Sequence, residues 1–223
     1  MEGLAITPDG TMLVGIMQAS LEQDGASPKL LRIVTIDVAT GVTHEYAYLL
    51  TTGTGVSEIT ALNDHEFLVD ERDGKGLGDG TNAAVKQVFK INLTGATDIT
   101  ALNANAAAAV AVAKTLTVDL VTLLQAAGLT KAQIPAKIEG LAFGQDVMVN
   151  VSGVMTVRHV LYVANDNDFA AASGPNTFYA VGLTDADLAG SVFTQQTIPE
   201  PASLTMLAAG MMAMGAMMRR HRR

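Results

Sequence analysis

From Glu2 to about Leu93 the chain alternates short apolar runs with polar positions and turn residues, the period-two pattern of strands with one buried face. Ile6-Thr7-Pro8-Asp9-Gly10-Thr11 predicts a turn between two such runs, because Pro8 pre-sets φ and Gly10 relaxes the backbone. Leu30 to Val38 and Val42 to Leu50, joined through Ala39-Thr40-Gly41, predict a second strand-turn-strand unit. A third follows from Ile59 to Leu62 and Glu66 to Asp70, and Val85 to Leu93 predicts one more strand.

The period then changes. Between Thr115 and Gly128, Leu116, Leu120, Leu123, Leu124 and Ala127 fall on one helical face, which predicts a short amphipathic helix stopped by Gly128. The stretch from Ala104 to Ala113 stays open, since alanine favours helix while Val110 and Val112 alternate as in a strand. Strands resume at Ile138 to Phe143, Val157 to Asn165 and Thr177 to Val181. Glu2-Gly3-Leu4-Ala5 recurs as Glu139-Gly140-Leu141-Ala142, a separation of 139 less 2, or 137 residues. That is about three propeller blades at roughly 45 residues each, and many short strands around the echo point to a propeller.

Composition narrows the function classes. Of 14 Lys and Arg, four close the C-terminus, and of 22 Asp and Glu, one is Glu200, so residues 1–198 hold 10 basic against 21 acidic side chains. Such a body disfavours nucleic acid as a partner and suits hard cations, or solubility outside the cell. With no cysteine, neither a disulfide framework nor a zinc-thiolate site exists. Met1 to Ile6 has no basic region and no apolar core of secretory length, and Glu2 to Ile6 already reads as the inside of a domain. The expectation is therefore an N-terminally incomplete chain.

The C-terminus joins three elements in a fixed order. Pro199-Glu200-Pro201 precedes the uncharged apolar stretch 202–218, and Arg219, Arg220, Arg222 and Arg223 close the chain around His221. As a helix, 17 residues rise about 26 Å, just short of a hydrocarbon core of about 30 Å, and the arginines would stay on the cytoplasmic side. The arrangement resembles the PEP-CTERM sorting signal of Gram-negative bacteria. That resemblance implies export across the inner membrane, anchoring there by the 202–218 helix, processing by an exosortase-type enzyme, and a final place at the cell surface or in the extracellular matrix.

The body carries a second resemblance. Glu2-Gly3-Leu4, Arg32-Ile33-Val34-Thr35-Ile36-Asp37, Ser57-Glu58-Ile59-Thr60-Ala61-Leu62-Asn63-Asp64, Phe67 to Asp73, Lys137 to Ala142 and Asn165 to Phe169 resemble, in order, the phytase-like family described as having esterase-like activity. The resemblance implies a β-propeller and ester or phosphoester hydrolysis. The fold class expected is thus all-β: an incomplete propeller over 1–195 with one short helical insertion, then a sorting segment over 196–223.

Carboxylates at strand ends, where propeller loops converge, supply the candidate chemistry. Glu71, Arg72, Asp73 and Glu139 are the candidate catalytic residues, with the Arg72 fork suited to a phosphate or carboxylate. Glu2, Glu58, Glu139, Asp166 and Asp168 are candidate ligands for calcium, which takes six to eight oxygens from flexible loops. Neither Glu71-Arg72-Asp73-Gly74 nor Asn165 to Asp168 has EF-hand spacing, so such a site would be assembled from separate loops. No Gly-x-Ser-x-Gly elbow exists; His44, His65 and His159 stand apart; and Gly74 to Gly80 lacks the ending of a phosphate loop and reads as a flexible loop. Two functions remain open: a calcium-dependent hydrolase, and a non-catalytic propeller that binds matrix polysaccharide or a surface protein through the same loops.

Overall fold

The computed structural model describes residues 1–25 and 29–196. The sorting-signal residues Pro199, Glu200, Pro201, Arg219, Arg220, Arg222 and Arg223, with the apolar stretch 202–218, lie outside the described residues. Among those described, no helix is long and apolar enough to cross a membrane.

The described residues form twelve strands in three antiparallel sheets. The first runs in sequence order through β1 (Gly3–Ile6), β2 (Met12–Ile16), β3 (Leu30–Asp37) and β4 (Thr43–Leu49). The second does the same with β5 (Gly55–Ala61), β6 (Glu66–Arg72), β7 (Lys86–Asn92) and β8 (Lys114–Asp119). In the third, β9 (Ile138–Phe143) and β10 (Val147–Val151) lie end to end along one side of the long β11 (Val154–Asn165), and β12 (Phe178–Leu183) lies on the other.

Alternation places the cores. Val14, Ile16, Leu31, Ile33 and Tyr48 of the first sheet pack on Val56, Ile59, Phe67 and Val69 of the second. Leu68, Val88 and Val118, from the other face of the second sheet, pack on Leu141, Leu161, Val163 and Val181 of the third. The middle sheet is therefore covered on both faces, and all seven residues of β6 are buried. The leading strands of the sheets also stand side by side, β1 against β5 and β5 against β9. Only a residue without a side chain permits the first approach: a Cβ on Gly3 would lie 2.5 Å from the Ile59 amide nitrogen.

The sheets do not close into a ring among the described residues, so the architecture shown is all-β with three stacked meanders. The alanine-rich stretch resolves as helix α1 (Ala104–Ala109), capped by the Asn103 side chain, which covers the outer face of the first sheet at Leu30 and Ala47. The single helix expected over Thr115 to Gly128 is a strand followed by a helix. Residues 114–119 pair with β7 as β8, where β-branched Thr115, Thr117 and Val118 suit a strand, and only α2 (Leu120–Ala126) is helical, capped by Asp119. The echo also needs correction. Its two copies open the first and third sheets, two units apart, and the separation is long because residues 73–85, 93–113 and 120–137 are inserted between strands.

Close packing at Gly3 yields a prediction. Gly3→Val, which forces β1 away from β5, is expected to destabilise the fold by about 1–3 kcal/mol, read as a lowered midpoint of urea unfolding.

Candidate functional site

Three glutamates mark one end of the leading strands: Glu2 just before β1, Glu58 in β5 and Glu139 in β9. The middle strand carries the echo too, as Glu58-Ile59-Thr60-Ala61, so all three strands share a glutamate three residues before an alanine. Between the strands runs a cleft of about 290 Å³, lined by Leu4 to Ile6, Glu58 to Ala61 and Leu141 to Phe143, and by Phe193, Gln195 and Gln196 of the outgoing chain. Burial pushes the Glu58 carboxyl up, the Ile59 and Leu4 amides oppose this, and the Glu2 charge adds to it. Burial likewise raises Glu139, against the pull of Arg72 and Lys137 and with help from Asp166 and Glu2.

Arg72 reaches this end from the second sheet. Its Nη2 donates to Glu139 and its Nε donates to the Ser57 hydroxyl at 3.2 Å, while Nη1 engages no described side chain. Ser57 lies within 2.8 Å of both the Asp70 Oδ2 and the Ile138 carbonyl oxygen, tying β5 to β6 and to β9. Asp70 is 0 % exposed, and its Oδ1 has no hydrogen-bond partner. Burial pushes its carboxyl up to about 7, over the opposing pull of Ser57, Arg72 and Lys86.

The remaining candidates separate. Glu71 points the other way, between the first and second sheets, where it accepts from Lys114 Nζ at 2.6 Å, Tyr48 Oη at 3.1 Å and the amides of Thr51, Thr52 and Gly53. Burial would raise this carboxyl, but Lys114 and the loop amides outweigh it and hold it below the usual range. Asp73 accepts from the fully buried Lys86 at 2.6 Å and from the Val85 amide. Both carboxylates are sealed and saturated, whereas Arg72 and Glu139 meet at the glutamate end of the leading strands. Asp166 accepts from the Asp168 amide at 2.8 Å, and Asp168 pairs with Lys137 at 2.6 Å.

The candidate calcium ligands Glu2, Glu58, Glu139, Asp166 and Asp168 differ in how far they are already engaged. Cations already engage Glu139 and Asp168, and no group of three or more His, Asp or Glu stands in metal-holding geometry among the described residues. The glycine run, expected as a flexible loop, is pinned: the Leu77 amide donates to the Ile134 carbonyl at 2.8 Å, and the Ala136 amide donates back to Leu77 at 3.0 Å. Ser57, Asp70 and Lys137 escaped the sequence reading as site residues. The signal was present in β6, where Glu66, Leu68, Asp70 and Arg72 share one face, with charges at core-facing positions.

The profile of the phytase-like family, described as esterase-like activity of phytase, matches residues 1–169. The chain belongs to the phytase-like family. Glu2, Glu58, Arg72, Glu139, Asp166 and Asp168 all fall inside the matched phytase-like region. The PEP-CTERM protein-sorting motif matches residues 197–223, which marks this phytase-like protein for export and membrane-associated sorting by an exosortase-type enzyme. No curated protein and no solved structure matches the chain.

Asp70 yields a pH prediction. Its folded carboxyl holds a proton more tightly than the unfolded chain, so its contribution to stability is full below about pH 4 and is lost as pH rises towards 7. Asp70→Asn, which mimics the protonated form, is expected to flatten the fall in unfolding free energy between about pH 4 and 7, measured by urea titration at stepped pH.

Proposed function

We propose that the three sheets are consecutive blades of a β-propeller and that the protein is an exported hydrolase of an ester or phosphoester. The reaction would take place at the glutamate-rimmed end of the leading strands. One observation carries this reading: two carboxyls raised by burial, Glu58 and Glu139, stand on neighbouring leading strands at the end where Arg72 has a free Nη1. A carboxyl that burial makes harder to ionise is suited to donate a proton, and a guanidinium fork recognises an anionic oxygen. In this reading Arg72 holds the acyl or phosphoryl oxygen, water adds at carbon or phosphorus as the bond to the leaving oxygen breaks, the leaving alkoxide takes its proton from Glu58 or Glu139, and the proton lost by the water restores that carboxyl. Matrix-facing chemistry accords with the sorting motif at 197–223.

Hydrolysis of p-nitrophenyl acetate and p-nitrophenyl phosphate by the full chain, with and without added calcium, tests the proposal. Glu58→Gln and Glu139→Gln are each expected to lower kcat/KM by on the order of 100-fold, and the rate should fall as pH rises and deprotonates the acid. Absence of turnover on both substrates, in calcium and in chelator, would sink the reading.

Phe169 favours the second reading. Its ring is 100 % exposed and follows Asp168, the partner of Lys137, in a turn where Asp168 and Phe169 both take positive φ. An aromatic face presented to solvent beside polar groups suits stacking on a sugar. On this reading Phe169→Ala is expected to abolish polysaccharide binding in calorimetry.

A further inference from the structure

Among the described residues, the hairpin formed by β10 and the first part of β11 pairs with no other strand. β9 ends with Phe143 opposite Leu161, whereas β10 begins with Val147 opposite Arg158, so residues 147–157 run beyond the end of the sheet. Its turn is tight: Val151 pairs with Val154, Ser152 and Gly153 both take positive φ, and Asn150 Oδ1 accepts from the Gly153 amide at 2.8 Å. Val147, Met148, Val149, Val151, Val154, Met155 and Val157 are each at least 40 % exposed. Consecutive residues of a strand point to opposite faces, so both faces of the hairpin are apolar. No charged residue occurs from 147 to 157; Asp146 and Arg158 bracket the base.

The same end of the fold carries the route to the C-terminus. Asp185 binds His159 Nε2 at 3.0 Å while Asp146 binds Nδ1 at 2.9 Å. Phe193 then lies 4.5 Å from the Phe143 ring and 4.8 Å from His159, between centroids. Ser191 donates to Glu66, and the Thr194 amide donates to the Leu62 carbonyl at 2.9 Å, just past the end of β5. The chain therefore reaches Phe193 and Thr194 at the end opposite Arg72, beside the root of the hairpin, and Gln195 and Gln196 then line the cleft between the leading strands. Six residues later begins the uncharged stretch 202–218 of the sorting segment, a tether that spans at most about 20 Å. The hairpin itself reaches about 17 Å from its base.

We infer that the 147–157 hairpin docks on the lipid bilayer to which the sorting segment brings the chain. An apolar hairpin exposed on both faces finds no place on a sheet, which would cover only one of them, but both faces are satisfied in the interfacial region of a membrane. Arg158 at its base stands where a lipid phosphate would meet it. The inference rests on the sorting motif and is independent of the hydrolytic reading. It also fixes an orientation, with Arg72 and the glutamates directed away from the membrane.

The chain has no tryptophan, so one introduced indole reports alone. The full chain carrying Val154→Trp is mixed with vesicles of phosphatidylethanolamine and phosphatidylglycerol. We expect a blue shift and at least two-fold quenching by brominated acyl chains, whereas Asn82→Trp, exposed at the opposite end, keeps its emission. Three outcomes overturn the inference: Val154→Trp chain that sediments with the vesicles yet is not quenched; chain that does not sediment with them; and a blue shift that grows with protein concentration without lipid. The last would assign the hairpin's free β10 edge to a second copy.

Discussion

Strand β6 places four charged residues, Glu66, Asp70, Glu71 and Arg72, in a strand buried along its whole length, and the rest of the molecule is arranged around satisfying them. A charge out of water is tolerable only when partnered. Glu71 finds its partners on the side of the first sheet, in Tyr48, Lys114 and the 51–53 loop. Asp70 and Arg72 find theirs on the other side, through Ser57 to Ile138 and directly to Glu139. Apolar contacts press the three sheets together but are not directional. The polar contacts of β6 specify where along one another the sheets dock.

This arrangement also separates the two ends of the leading strands. At one end the charges of β6 meet the glutamates of β5 and β9, where burial raises the carboxyls and Arg72 Nη1 engages no described side chain. At the other, Glu66 holds Ser191 and the Phe143, His159 and Phe193 rings gather the outgoing chain. The Arg72–Glu139 pair and the Phe193 contacts thus lie at opposite ends of the leading strands. Glu71 and Asp73 lie between the sheets or in a closed loop, where their oxygens accept from Lys114, Lys86 and backbone amides.

Much of the fold was legible because a half-buried strand writes its period into the sequence. β1 to β4, β7 and β9 fall where alternation predicts them. β10 does not alternate, since Val147, Val149 and Val151 flank Met148 and both faces are apolar, so no period announces it. β8 hid behind leucines at helical spacing; pairing with β7 overrode that pattern up to Asp119. The site was half legible. Glu58 and Glu139 were selected as acidic groups, but their echo across three strands was read in only two of them.

The sequence by itself determined the all-β class, the turns at Pro8-Asp9-Gly10 and Ala39-Thr40-Gly41, the family, and the sorting segment, because local periodicity, turn chemistry and contiguous motifs are all short-range properties. Only the tertiary structure decided which carboxylates are sealed and which are available. Asp70, Glu71 and Asp73 are near neighbours in one short run, yet one faces the third sheet, one faces the first and one closes a loop. That difference arises from the alternation of a strand buried on both sides, and its meaning depends on Lys114, Ser57 and Lys86. Partners 43 and 13 residues away leave no local mark on the sequence around each carboxylate.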